Sequence, residues 1–238
     1  ASGGIRIGTL YKLARDNGWK GDEHDTSAID YPAQRAQRLK ELRDAERAQQ
    51  RAQEGAAKRA ETLIRECVTG THAYLKAKGF PEELGLIHGD ALLIPMRGLT
   101  GKLQSVQQIW HDGEQFQKKF LRHGKASGAV FAMGEGESWL CEGYATGLSV
   151  RSALRSLYRK GRILVCFSAG NIARVAALLS GPCFVIADND ASGVGEAQAI
   201  KTAHPYWVPP TVDTDANDFH QAHGVRALAN ELRGLITA

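Results

Sequence analysis

From residue 138 onward the chain alternates short apolar runs with amphipathic segments, and no other feature limits the available folds as strongly. "SWLCEG", "RILVCFSAG" and "PCFVIADND" are nearly continuous apolar runs of strand length. "TGLSVRSALRSLYRKG", "NIARVAALLSG" and "GVGEAQAIKTA" follow them in turn with helical patterning. A short "YWVP" strand and one last helix within "NDFHQAHGVRALANELRGLI" complete the series. Strands that lack in/out alternation are buried on both faces, so the pattern predicts a mostly parallel sheet with flanking helices, an α/β fold. Asn171 is the expected N-cap and Gly181 the expected C-cap of the second helix. In open α/β sheets, ligands sit at the carboxyl ends of the strands.

Upstream the texture differs. Residues 5–18 place Ile7, Leu10, Tyr11 and Ala14 on one helical face, with Gly18 as a stop. Residues 33–62 are rich in Ala, Gln, Arg and Glu. That gives strong helix propensity but little apolar stripe, as in a solvated connecting helix. Its acids interleave with its bases, which weighs against a basic nucleic-acid arm. "THAYLKAKGF" predicts a short helix ending at Gly79, and "ALLIPM", "LQSVQQIW", "FQKKFLRH" and "GAVFAM" predict strands.

Composition excludes several classes. No run approaches the ~20 apolar residues of a membrane span, and no basic-then-apolar leader is visible. Cys67, Cys141, Cys166 and Cys183 form no C-x-x-C pair, which predicts buried free thiols in a reducing compartment and no zinc site. A cytoplasmic location is expected. The chain begins without Met and reads as a piece of something longer. The net charge of +4 permits a nucleic-acid partner without demanding one.

The chemistry concentrates in acids at strand ends. Glu142 closes the first apolar run; Asp188 and Asp190 close the third; Asp213, Asp215 and Asp218 lie in "TVDTDAND". Two carboxylates about 4 Å apart cost roughly 4 kcal/mol at an effective dielectric near 20, so such a cluster needs positive charge. All-oxygen donors suit Mg²⁺ or Mn²⁺. "DNDASG" also matches the start of an EF-hand loop, but the position of its bidentate Glu falls on Ala199. A lone D-x-D is also an ordinary helix-cap motif. Lys118, Lys119, Arg122 and Lys125 form a basic stretch, with Arg97 and Lys102 on neighbouring segments. Strand alternation puts Lys118 and Phe120 on one face and Lys119 and Leu121 on the other. The stretch reads either as nucleic-acid or nucleotide contact or as a lysine-protected edge strand. Trp110 and Phe120 either offer stacking surfaces or belong to the core.

"LCEGYATGLSV", "ILVCFSAGNIARV", "VIADNDASGVGEAQA" and "DTDANDFHQAHG", in this order, resemble the Toprim domain, in the version found in primases of phages, plasmids and other mobile elements. "LLIPMRGLTGKLQSVQQIWHDGEQFQKKFLRHGKASG" is similar to the subdomain that precedes Toprim in those primases, and "GGIRIGTLYKLARDNGW" to the tail of a small helical module. The resemblance implies a Toprim core preceded by a small mixed α+β subdomain and a long N-terminal helical segment. The expected divisions are residues 1–22 (module tail), 23–66 (helical polar linker), 67–137 (basic, strand-rich subdomain) and 138–238 (Toprim). It implies nucleotidyl transfer that makes primers on single-stranded DNA from nucleoside triphosphates, with a replicative helicase, fused or separate, as a partner. Glu142, Asp188 and Asp190 would then be catalytic. Mg²⁺ or Mn²⁺ would be held by Glu142, Asp188, Asp190, Asp215 and Asp218, and nucleic acid or nucleotide by Arg97, Lys102, Lys118, Lys119, Arg122 and Lys125. A Toprim nuclease and a non-catalytic DNA-binding replication scaffold are the alternatives.

Overall fold

The structure, a computed structural model, describes residues 7–19 and 31–237 and divides into two compact units, residues 1–48 and 49–238. In the first, α1 (Ile7–Asp16) ends where Gly18 turns left-handed at φ 81°, and the Tyr11 and Trp19 rings lie 6.0 Å apart. The helix α2 (Tyr31–Arg65) is 35 residues long and buries only Ala56 and Ala60, as its sparse apolar stripe predicts. Among the described residues no helix is long and apolar enough to cross a membrane.

The second unit is built on ten strands. Those upstream are β1 (Val68–Gly70), β2 (Gly85–His88), β3 (Ala91–Gly98), β4 (Leu103–His111), β5 (Phe116–Phe120) and β6 (Ala129–Met133). α3 (Ala73–Ala77) lies between the first two. The alternating region supplies β7 (Glu137–Cys141), α4 (Tyr144–Ser156), β8 (Gly161–Val165), α5 (Ala169–Ala176), β9 (Cys183–Ile186), α6 (Val194–Lys201) and β10 (Tyr206–Trp207). α7 (Ala216–His223) and α8 (Val225–Thr237) follow. The sheet runs β1-β2-β3-β6-β8-β7-β9-β10, with β4 paired to β3 and β5 to β4. β8, β7, β9 and β10 are mutually parallel, and β6 joins them to the upstream strands through antiparallel pairing on both of its edges.

The apolar runs have the physical cause expected of them. Trp139, Cys141, Ile163, Val165, Phe184 and Ile186 face one core with residues of α4 and α8; Leu140, Leu164, Cys183, Val185 and Ala187 face the other with α5 and α6. Both faces are covered, so apolar residues follow one another without in/out alternation. Across the first core, Trp139 stacks on Phe184 with ring centroids 4.4 Å apart. The cysteines are free, and Cys141, Cys166 and Cys183 are buried.

Several details differ from expectation. The last helical stretch is two helices, because Gly224 adopts φ 83° between them. β1 and β2 are strands that the pattern did not single out, since three or four residues carry too little periodicity. Ser168, not Asn171, caps α5, and its side chain accepts the Asn171 N–H. Asn171 is buried and ties strands to helix. It donates to the carbonyls of Ala129 and Cys166, each at 2.8 Å, and accepts the Gly128 N–H at 2.7 Å. The C-cap of α5 is Ala177; Gly181, at φ 88°, turns the chain afterwards, before Pro182.

Helix α4 packs unusually close to β8. A Cβ on Gly147 would stand 2.9 Å from Val165 Cγ2 and 3.1 Å from Met133 Cε. Gly147→Ala should therefore destabilise by about 1–3 kcal/mol despite the better helix propensity of Ala, lowering Tm by several degrees in scanning calorimetry. An unchanged or raised Tm would show that the core relaxes around the methyl group.

Candidate functional site

Parallel pairing in register sets the site. Cys141 pairs with Val165 on one side and Ile186 on the other, so the three strands end level. Glu142 leaves the end of β7, Phe167 the end of β8 and Asp188 the end of β9. The chain at the end of β8 is held to that of β7 by the Cys166 N–H on the Cys141 carbonyl and the Phe167 N–H on the Glu142 carbonyl.

The two aspartates of the D-x-D segment have different environments. Asp190 is satisfied: its carboxylate accepts the Ser192 hydroxyl and the N–H groups of Ser192, Val194 and Gly195, which closes the turn into α6. These bonds, the Ser192 hydroxyl first, hold it below the ordinary carboxylate range. Asp188 is not satisfied. Its Oδ1 is the one buried carboxylate oxygen among the described residues without a hydrogen-bond partner. Burial, then the negative charges of Asp215 and Glu142, push it up to about 7, against the pull of Lys118. Glu142 is raised too, chiefly by burial, with the Ala169 N–H and Lys118 opposing. Gly195 lets α6 approach this far, since a Cβ there would stand 2.2 Å from the Asp188 carbonyl oxygen.

Asp215 caps α7, its Oδ1 accepting the N–H groups of Asn217 and Asp218, and its Oδ2 accepts the Thr146 hydroxyl of α4 at 3.0 Å. Asp218 completes the capping box by accepting the Asp215 N–H, and its other oxygen lies 3.7 Å from Lys78 Nζ. Asp213, at φ 60°, accepts the Ala191 N–H and so braces the D-x-D turn. Glu142, Asp188 and Asp215 thus share one field at the sheet edge, while the Asp218 carboxylate is occupied by a cap and a lysine.

The cations are dispersed. Lys118 on β5 is coupled to both Glu142 and Asp188 and lies over the Tyr74 ring, 5.4 Å from its centroid. Lys119 points to the opposite face, over Trp110, also at 5.4 Å. Phe120 shares the Lys118 face and meets Phe167 edge-on, with centroids 6.1 Å apart. Lys102 and Lys125 line a separate cleft of about 430 Å³ against Gln53, Glu54 and Lys58 of α2. Arg97 donates to the Gly101 carbonyl, and the Arg122 carbonyl accepts from Arg59. Of the six cations, Lys118 is the one placed in the field of the acids.

Residues 137–226 match the Toprim domain family. This part of the chain is similar to a Toprim domain. Similar solved structures include a DNA primase domain from Pseudomonas aeruginosa, at 12% identity and TM-score 0.42, covering 75% of this chain and 58% of that one. Another is the RNA polymerase domain of Mycobacterium tuberculosis primase DnaG, at 16% identity and TM-score 0.40, covering 75% and 71%. A third is a DnaG catalytic core, at 12% identity and TM-score 0.47, covering 80% and 72%. Curated proteins gave no match.

A divalent cation suits the Toprim edge, because the donors are oxygens and Asp188 Oδ1 is buried without a partner. Among the described residues no three such side chains already converge on one point, so protein oxygens alone form no closed cage. Mg²⁺ commonly binds in this way, through one or two carboxylates completed by water and substrate phosphate. Reading the sequence missed Thr146 and Tyr74 and gave Asn171 only a capping role; each matters through a contact across the fold.

The raised Asp188 group has a consequence for stability. A carboxyl whose folded value lies above its unfolded value stabilises when protonated; that contribution is complete below about pH 4 and lost as pH rises through about 7. Asp188→Asn, measured in EDTA, should therefore raise Tm at pH 8 by roughly 3–6 °C, for about 1–2 kcal/mol after solvent screening. The gain should shrink toward zero near pH 4; a Tm that falls at pH 8 contradicts this account.

Proposed function

We propose that the chain is the catalytic part of a DNA primase of a phage, plasmid or other mobile element. It would join ribonucleotides on a single-stranded DNA template by metal-dependent nucleotidyl transfer. The observation that carries this reading is Asp188: a buried, unpartnered carboxylate oxygen beside Glu142 and Asp215, with Lys118 brought to it from the upstream subdomain. A fold that only bound DNA through its basic face would have no use for that uncompensated charge.

A bound Mg²⁺ or Mn²⁺ supplies neutralisation of charge on the reacting phosphate. Asp188 would hold it, with Asp190 and Asp215 as further oxygen donors whose orientation the turn into α6 and Thr146 already fix. Asp218 would contribute after release from Lys78. In the reaction, the primer 3′-oxygen forms a bond to the α-phosphorus of the triphosphate and the bond to pyrophosphate breaks. Glu142, lifted above the ordinary carboxylate range by burial, is suited to take the hydroxyl proton. Lys118 would orient the triphosphate, and the other five cations would meet the template backbone away from the reacting atoms. A helicase would be a separate or fused partner.

Primer synthesis on single-stranded DNA with labelled nucleotides tests the reading, with template integrity followed on the same gel. Metal-dependent oligonucleotides should form and fall at least about 100-fold in Asp188→Ala/Asp190→Ala. Template cleavage without synthesis would make the domain a nuclease, and DNA binding without either activity would make it a scaffold. Lys118→Ala should weaken binding of a labelled nucleoside triphosphate about fivefold or more. Unchanged triphosphate binding removes Lys118 from that role.

A further inference from the structure

A cleft of about 330 Å³ opens where β5 faces the turn from β8 into α5. Phe120, Ser127, Phe167, Ser168 and Arg174 are among its lining residues. It adjoins the acidic edge, because the Phe167 N–H is bonded to the Glu142 carbonyl at 2.9 Å and the Ala169 N–H to the Glu142 carboxylate. Its volume lies at the low end of small-ligand sites, which run from about 300 to 1,000 Å³.

Three features of the wall point to one class of ligand. Phe120 is 42% exposed on a strand otherwise made of Phe116, Gln117, Lys118 and Lys119, so its ring is not serving the core. The perpendicular contact with Phe167, at 88°, fixes the orientation of the ring without covering it. Phe167 itself sits at φ 68°. A non-glycine residue there costs on the order of 1–3 kcal/mol and is retained where the surroundings enforce it, commonly at binding sites. Arg174 is exposed and has no ion-pair partner among the described residues, leaving a planar guanidinium fork to meet a phosphate.

We propose that this cleft binds a nucleobase stacked on Phe120, with an attached phosphate on Arg174. The inference rests on the primase reading for the role of the bound nucleotide, and on the wall of the cleft for the binding itself. Strand geometry supports it. Lys118 and Phe120 point to the same face about 7 Å apart, so a nucleotide whose phosphate meets Lys118 reaches the ring with its base. Base–aromatic stacking is tolerant of sequence, because every base has a π-face. The base belongs either to the template strand or to a free nucleoside triphosphate, and the two are separable by experiment.

The test is equilibrium binding by the full 238-residue chain at fixed salt, with three fluorescent probes. These are a single-stranded oligothymidylate, an abasic oligonucleotide of the same length, and a ribonucleoside triphosphate. The wild type should prefer bases over abasic sugar-phosphate. Phe120→Ala should weaken binding to the base-bearing probe about fivefold or more, leave the abasic probe unchanged, and so erase the preference. Phe120→Tyr should retain the preference, and Arg174→Ala should weaken base-bearing and abasic probes alike. Loss confined to the oligonucleotide assigns a template base; loss confined to the triphosphate assigns the incoming nucleotide. Circular dichroism verifies folding, and Phe120→Leu, which keeps apolar bulk without a π-face, gives the same readout if Phe120→Ala unfolds.

Unchanged binding of both the oligothymidylate and the triphosphate by Phe120→Ala and Phe120→Leu overturns the inference. That result beside intact primer synthesis leaves the primase reading standing. A Phe120-dependent base preference in a wild type that makes no primers supports the cleft and rejects the primase.

Discussion

The rest of the structure depends on β7 pairing parallel with both β8 and β9 in level register. Cys141 is the hinge of that arrangement, opposite Val165 on one side and Ile186 on the other. Because parallel strands run the same way, their carboxyl ends emerge together, and Glu142 and Asp188 come side by side without any local sequence signal joining them. The hydrophobic effect drives this, since Trp139, Leu140, Ile163, Leu164, Val185 and Ile186 are buried in two cores. Apolar burial therefore confines the negative charges at the edge.

The fold offsets most of that charge with hydrogen bonds and leaves a selected part exposed to whatever binds. Asp190 and Asp215 are stabilised by backbone N–H groups at the starts of α6 and α7, and Thr146 adds a further bond to Asp215. Around Asp215, Asn217 donates to the Lys78 carbonyl and to Ser149, which also meets His220. This buried network locks α7 against α4. Asp188 lies beside it without equivalent compensation, so the strain of the site is concentrated in one carboxylate held on a rigid edge.

The upstream strands belong to the same physical object. β6 hydrogen-bonds to β3 and β8 at once, and Asn171 ties the Gly128–Ala129 segment to the start of α5. These contacts set where β5 can lie, and therefore where Lys118 and Phe120 face. The basic strand is attached to the acid edge through the sheet itself, by way of β4, β3, β6 and β8.

The α/β class and the alternation of strands and helices after residue 138 were legible in the sequence, because burial on both faces forces nearly unbroken apolar runs that local pattern exposes. The faces of β5 were also legible, since a period of two depends on nothing distant. The fates of individual carboxylates were not. Asp188 and Asp190 are two residues apart and identical in type, yet the turn bonds of Ser192, Val194 and Gly195 satisfy Asp190, while Asp188 keeps a buried oxygen unpaired at the strand edge. Nor could spacing show that Lys118 reaches the acids while Lys102 and Lys125 line a cleft with α2. The sequence determined which groups are present and which local elements carry them. Tertiary structure decided which charges meet, because electrostatic interaction depends on distances and burial that only the assembled sheet defines.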